Sequence, residues 1–143
     1  MAQKIKVFVD SDVIISSQIS NLGAAYFLLN KTDLKLYMSN LSLIELMDVT
    51  KKLKIETSRL VSFVKKRFNQ VNLEEDFKEL KRQFNDYTND PEDIHVVAGA
   101  ALAGVDFLLT YNMKDYKIDK IKKDLNILTL TPGNFLQYLR SIQ

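Results

Sequence analysis

The chain has 143 residues, enough for one ordinary domain with a sizeable core. Hydrophobic residues make up 46% and charged residues 27%, the balance of a globular protein and not of a disordered one. A net charge of +2 permits nucleic-acid binding without arguing for it, the absence of cysteine excludes disulfides and a cysteine nucleophile, and a single histidine, His95, excludes a multi-histidine zinc site.

The opening stretch MAQKIKVFVDSDVIIS is interrupted by Asp10 and Asp12, so it reads neither as a signal peptide nor as a membrane span; a soluble cytoplasmic protein is expected. Ile5 to Val9 predicts a short buried strand. Val13 to Asn30 then carries apolar residues near helical spacing and predicts one helix. Leu34 to Met38 predicts a second strand and Ser39 to Leu53 a second helix. Glu56 to Phe68 and Leu73 to Tyr87 predict two amphipathic helices with no strand between them, an inserted helical arm over about 56–87. Thr88-Asn89-Asp90-Pro91 is the clearest punctuation, with Asp90 a good N-cap and Pro91 suited to the first helical position. The helix that follows, through Gly104, is small on one side, which lets it lie close to a sheet. Asp106 to Thr110 and Asn126 to Leu130 predict two more strands, and Gly133 to Ile142 a last helix. Strands alternating with helices imply a parallel sheet covered on both faces. No repeat or linker divides the chain, so residues 1–143 are expected to form one domain.

Four carboxylates, Asp10, Glu45, Asp93 and Asp115, fall where a strand ends or a helix begins. In a parallel α/β sheet such places share one edge, the edge where ligands bind. Acids crowded there repel one another unless a cation joins them, and hard oxygen ligands suit Mg²⁺ or Mn²⁺. Each acid also has a plainer reading. Asp10 and Asp12 can cap the next helix, Glu45 can lie on an exposed stripe, and Asp93 fits a capping box. Thr110, Asn112 and Asp115 follow a strand and can form an ordinary turn. His95 is better suited to packing or hydrogen bonding near the sheet than to binding metal.

Taken together, these segments resemble the PIN-domain family, and within it the VapC-type toxin ribonucleases. The similarity runs through VFVDSDVIIS, SNLSLIELMDV, DPEDIHVVAGAALAGVDFLLTYNMKDY and LTPGNFLQYL, nearly the whole chain. It implies a three-layer α/β/α sandwich with a parallel central sheet and an acidic pocket for Mg²⁺ or Mn²⁺. By position, Asp10, Glu45 and Asp93 match the first three acids of the family and Asp115 the fourth. Thr110 matches a hydroxyl that orients the carboxylates, and Ser39 another beside them. Asn112 takes a place that is aspartate in other members. Asp12 stands where the first motif commonly has asparagine, and Glu92 is a nearby competitor for the fourth ligand.

The implied activity is a metal-dependent endoribonuclease in which metal-activated water attacks the phosphodiester and leaves 3′-hydroxyl and 5′-phosphate ends. The implied partners are an RNA substrate, a cognate antitoxin and a second copy of the chain in a homodimer, with no membrane. Two alternatives stand beside the toxin: a PIN nuclease of RNA processing, and a PIN-like module that binds RNA or protein without cutting. Lysines and arginines over 51–67 and 114–123 are candidates for phosphate contacts, although solvated surface explains most of them. Tyr111 and Tyr116 flank the acids, placed either to stack on a base or to pack in the core.

Overall fold

The short apolar runs become strands because β-branched and aromatic side chains alternate across a pleated surface that is buried on both sides. The computed structural model describes residues 4–142. Its strands are β1 (Lys6–Val9), β2 (Lys35–Ser39), β3 (Phe68–Val71), β4 (Phe107–Leu109) and β5 (Leu128–Leu130). All pair in parallel in the order β3-β2-β1-β4-β5, with Val7 registered against Leu36 on one side and Phe107 on the other. Val7, Val9, Leu36, Met38, Phe107 and Leu109 point to one face, and Phe8, Tyr37 and Leu108 to the other.

Helices cover both faces. On the Val7 side lie α1 (Ser11–Ile19), α2 (Ala24–Lys31), α3 (Asn40–Leu53), α4 (Thr57–Arg67) and α8 (Pro132–Ser141). On the Phe8 side lie α6 (Ile94–Ala103) and α7 (Ile118–Leu125), with α5 (Phe77–Phe84) packed against α6. The result is the expected three-layer α/β/α arrangement. Fully buried Ile14, Leu28, Leu29 and Leu46 hold the first layer down, each worth about 1.5–3 kcal/mol of burial. Helix α6 lies especially close to the sheet: a Cβ on Gly99 would come within 2.7 Å of the Phe8 ring. It stops at Gly104, whose left-handed φ of 64° lets its N–H reach back to Ala100 and Ala101.

Three segments differ from the sequence expectation. The helix expected over Val13–Asn30 is two helices, parted at residues 20–23. Ser20 is extended and its hydroxyl accepts the Leu22 N–H at 3.3 Å, a local bond that competes with the helical ladder, and Gly23 caps the restart. The segment 56–87 is no strandless arm, because β3 lies within it and pairs with β2 from Phe68 to Val71. Helices α4 and α5 flank that strand on opposite faces, Leu60 and Val64 reaching one core and Leu80 the other. Helix α7 was not foreseen; Ile118, Ile121 and Leu125 form its inner stripe within a lysine-rich run. Among the described residues, no helix is long and apolar enough to cross a membrane.

Candidate active site

Asp10 follows β1 directly, and its N–H still bonds to Leu109 in the neighbouring strand at 2.9 Å. Its extended backbone then starts α1, so one residue ends a strand and caps a helix. The carboxylate is 5% exposed and takes three donors: Ser11 N–H on Oδ1 at 2.7 Å, and the hydroxyls of Thr110 and Tyr116 on Oδ2, each at 2.9 Å. Burial raises its pKa, while the Tyr116 and Thr110 bonds pull it back down. Tyr116 is 4% exposed, and burial together with the charge of Asp10 raises its own pKa. Thr110 Oγ1 also accepts the Asn112 N–H at 3.1 Å, which fixes the turn after β4.

Asp12, in the first turn of α1, accepts the Tyr111 N–H on Oδ2 at 3.0 Å, and its Oδ1 is buried with no hydrogen-bond partner. Burial, then the charge of Asp10, raises its pKa to about 7. Glu45 projects from α3, and its Oε2 lies 3.3 Å from Nε2 of His95 on α6. That bond lowers the Glu45 pKa against the opposing effect of burial. The other ring nitrogen of His95, Nδ1, is buried and unpartnered.

The remaining acids come from two short 3₁₀ turns, Pro91–Asp93 and Met113–Asp115. Asp90 caps the first by accepting the Glu92 N–H at 3.0 Å, and its carbonyl accepts the Asp93 N–H at 3.0 Å. Asn89 ties the two turns together, its backbone N–H reaching the Asp115 carbonyl and its side-chain amide the Lys114 carbonyl, both at 2.8 Å. One carboxylate oxygen from each of Asp90, Asp93 and Asp115 thereby lies within 4.8 Å of the others. Burial, followed by the charges of Asp10, Asp90, Asp115 and Glu45, raises the Asp93 pKa to about 7.

Asp12, Glu45, Asp90, Asp93, Asn112 and Asp115 line one open cleft of about 500 Å³. Of the residues singled out in the sequence, Asp12, Glu45, Asp93, Asn112 and Asp115 meet there, joined by Glu92. Asp10 is buried behind that lining, with Thr110 at its back. Ser39 is elsewhere: fully buried, it caps α3 through the Ser42 N–H at 3.0 Å and the Ser42 hydroxyl at 3.1 Å, without a bond to any of the acids. Tyr116 is buried on Asp10 and cannot stack on a base, whereas Tyr111 is 45% exposed. His95, on the helix that packs against the sheet, hydrogen-bonds Glu45 through Nε2. Asp90 reads in the sequence as a cap, yet Asp90-x-x-Asp93 also places two acids one turn apart on a common side.

The cleft fits a hard divalent cation. Its donors are carboxylate oxygens, three of them within one coordination sphere's reach, and Asp12 keeps a buried oxygen without a partner. Burial, and after it the charge of the neighbouring acids, raises Asp12 and Asp93, and a cation bound there would favour their ionised forms.

The fold recurs in solved structures. A chain of a toxin–antitoxin complex from Klebsiella pneumoniae superposes with a TM-score of 0.63 at 21% identity, over 88% of this chain and 97% of that one. A chain of VapBC2 from Rickettsia felis, bound to a fragment of promoter DNA, gives 0.60 at 13% identity over 89% and 98%. The sarcin–ricin-loop-cleaving toxin VapC20 of Mycobacterium tuberculosis gives 0.52 at 14% identity over 71% and 86%. Among curated proteins, none matches the sequence. A family model described as PIN domain matches residues 6–114, which takes in every acid of the cleft except Asp115. By that match the chain belongs to the PIN-domain family.

Proposed function

We propose that this protein is a metal-dependent endoribonuclease, the toxin of a type II toxin–antitoxin pair. The observation that carries the reading is the convergence of Asp90, Asp93 and Asp115 within 4.8 Å, in a cleft that Asp12 and Glu45 also line. Asp10, Glu45, Asp93 and Asp115 are the proposed catalytic acids, with Asp90 added to the metal-holding set. A bound Mg²⁺ or Mn²⁺ supplies Lewis-acid stabilisation of phosphate charge and acidifies water. The chain's own residues do the positioning. Ser11, Thr110 and Tyr116 fix the Asp10 carboxylate, His95 orients Glu45, and the Asn89 bonds hold the Asp93 and Asp115 turns in register. Asn112 offers a neutral amide at the cleft wall, suited to donating to a phosphate oxygen without adding charge. Attack by water, with no protein nucleophile, is the proposed route.

The solved relatives that occur in toxin–antitoxin complexes support a small protein antitoxin as partner, and exposed apolar residues on α3 (Ile44, Met47, Leu53) offer surface for it or for a second copy in a homodimer. The test is cleavage of a mixed RNA pool by the pure protein with Mn²⁺ or Mg²⁺. EDTA and Asp93→Asn should each abolish cutting, and cutting that survives Asp93→Asn would overturn the assignment. Rescue of growth by the product of an adjacent small reading frame tests the toxin role separately.

A further inference from the structure

The edge of the sheet opposite the acids is cationic. Strands β1 and β2 open on Lys6 and Lys35, which are direct register partners, and Arg67 immediately precedes Phe68, the first residue of β3. Like charges directly opposite on adjacent strands are destabilising. Among the described residues, none of these three cations lies within ion-pair distance of a carboxylate. Instead Lys6 and Lys35 share one aromatic ring, their Nζ atoms lying 5.2 and 5.8 Å from the centre of Tyr37. Lys6 Nζ also donates to the Ala103 carbonyl at the end of α6, and Arg67 donates to the carbonyls of Leu29, Thr32 and Leu34, from the end of α2 to the start of β2. Both anchors hold charge at this edge while leaving further N–H groups free. Lys4, Lys6, Lys35, Arg67 and Asn69 line an open groove of about 700 Å³. The nearby acids stand outside that lining and are engaged, Asp33 with Lys4 Nζ at 2.9 Å and Asp106 with the Lys6 N–H at 3.0 Å.

We infer that this groove binds the phosphodiester backbone of a single-stranded RNA, remote from the cleft where cutting is proposed. The cations are strung across three neighbouring strands about 4.8 Å apart, the layout for a row of phosphates and not for one enclosed anion. Contacts of lysine to backbone phosphate bring affinity without sequence preference. The choice of RNA rests on the proposed function; the groove itself does not.

The test is fluorescence anisotropy with a labelled single-stranded oligouridylate in EDTA, so that binding is read without cutting, from 50 to 200 mM KCl. Each phosphate contact adds about 0.7 to the slope of log affinity against log salt for a single strand. Lys35 is exposed, so Lys35→Ala should remain folded, with the circular-dichroism spectrum of the wild type, while weakening binding several-fold and lowering the slope by about 0.7. Lys35→Arg should retain the slope, and Lys78→Ala, on α5 and outside the groove, should leave it unchanged. An unchanged slope in Lys35→Ala, or an equal fall in Lys78→Ala, would overturn the inference. So would equal competition by inorganic tripolyphosphate in the wild type and in Lys35→Ala. Failure to cut RNA with metal would count against the nuclease reading alone, because this assay needs no cutting.

Discussion

Tyr116 donates its hydroxyl hydrogen to Oδ2 of Asp10 at 2.9 Å, across 106 residues of chain. The bond joins the loop after β4 to the residue that follows β1, and both groups are buried, so neither can turn to water instead.

Tyr116→Phe removes that donor and keeps the ring. A hydrogen bond to a charged group is worth about 1.5–3 kcal/mol, and the Thr110 bond remains, so a loss near the lower end is expected. Thermal unfolding should show a lower Tm with unchanged secondary structure. RNA cleavage should fall by about tenfold or more, the usual scale for a group that orients a metal-site residue.

Stability without metal should decline as pH rises from about 4 to 7. Asp12 and Asp93 have folded pKa values raised from 3.8 to about 7, so in that interval the native state holds protons that the unfolded chain has released. The unfolded state binds fewer protons there, and the free energy of unfolding therefore falls with pH. Glu45 runs the other way: its lowered pKa gives stability that is lost only on acidification below about 4.5, at the acid end of this interval. Saturating Mn²⁺ should raise Tm more at pH 8 than at pH 5, because the ion binds the ionised carboxylates. Melting curves with Mn²⁺ and with EDTA at the two pH values decide it, and an equal rise at both would refute the link to these acids.

His95 holds Glu45 through Nε2, and its Nδ1 has no partner. His95→Ala should free the Glu45 carboxylate and lower activity by about 10-fold, while His95→Gln, which can still donate, should recover part of it. Divalent-cation titration by calorimetry should show the same ranking, and a variant that merely loosened the core would not produce it.

Gly99→Ala tests how closely α6 lies on the sheet. The added methyl would meet Phe8 Cε2 at 2.7 Å and Cζ at 2.8 Å, and Phe8 is fully buried, so the ring or the helix must move. Overpacking of this kind costs about 1–3 kcal/mol, to be read as a shift in the urea midpoint. Because α6 begins just after Asp93, activity should fall with it.

Much of this was legible in the residues. Strands β1, β2, β4 and β5 announce themselves as short apolar runs, and an acid or hydroxyl after β1 and β4 marks the edge where the cleft forms. Strand β3 was hidden because it sits at the edge of the sheet: Asn69 and Gln70 face solvent, leaving Phe68 and Val71 too few to show a period. Helix α7 was hidden by its own lysines. Tyr116 and His95 act through partners 106 and 50 residues away, and no local spacing records such a pairing. Asp90 was obscured by a sound local explanation, since one carboxylate both caps a turn and stands beside Asp93 and Asp115.

The strand order also sets a timetable. Of the five strands described, β1 is made first and is the central one of the sheet, yet its neighbour β4 begins only at Phe107. A growing chain that has reached Asp93 already carries the acids at 10, 45 and 93, but it lacks the strand beside Asp10 and both hydroxyls that fix it. The cleft is thus completed only once Tyr116 has been made, and a chain interrupted before that residue leaves the ribosome without it.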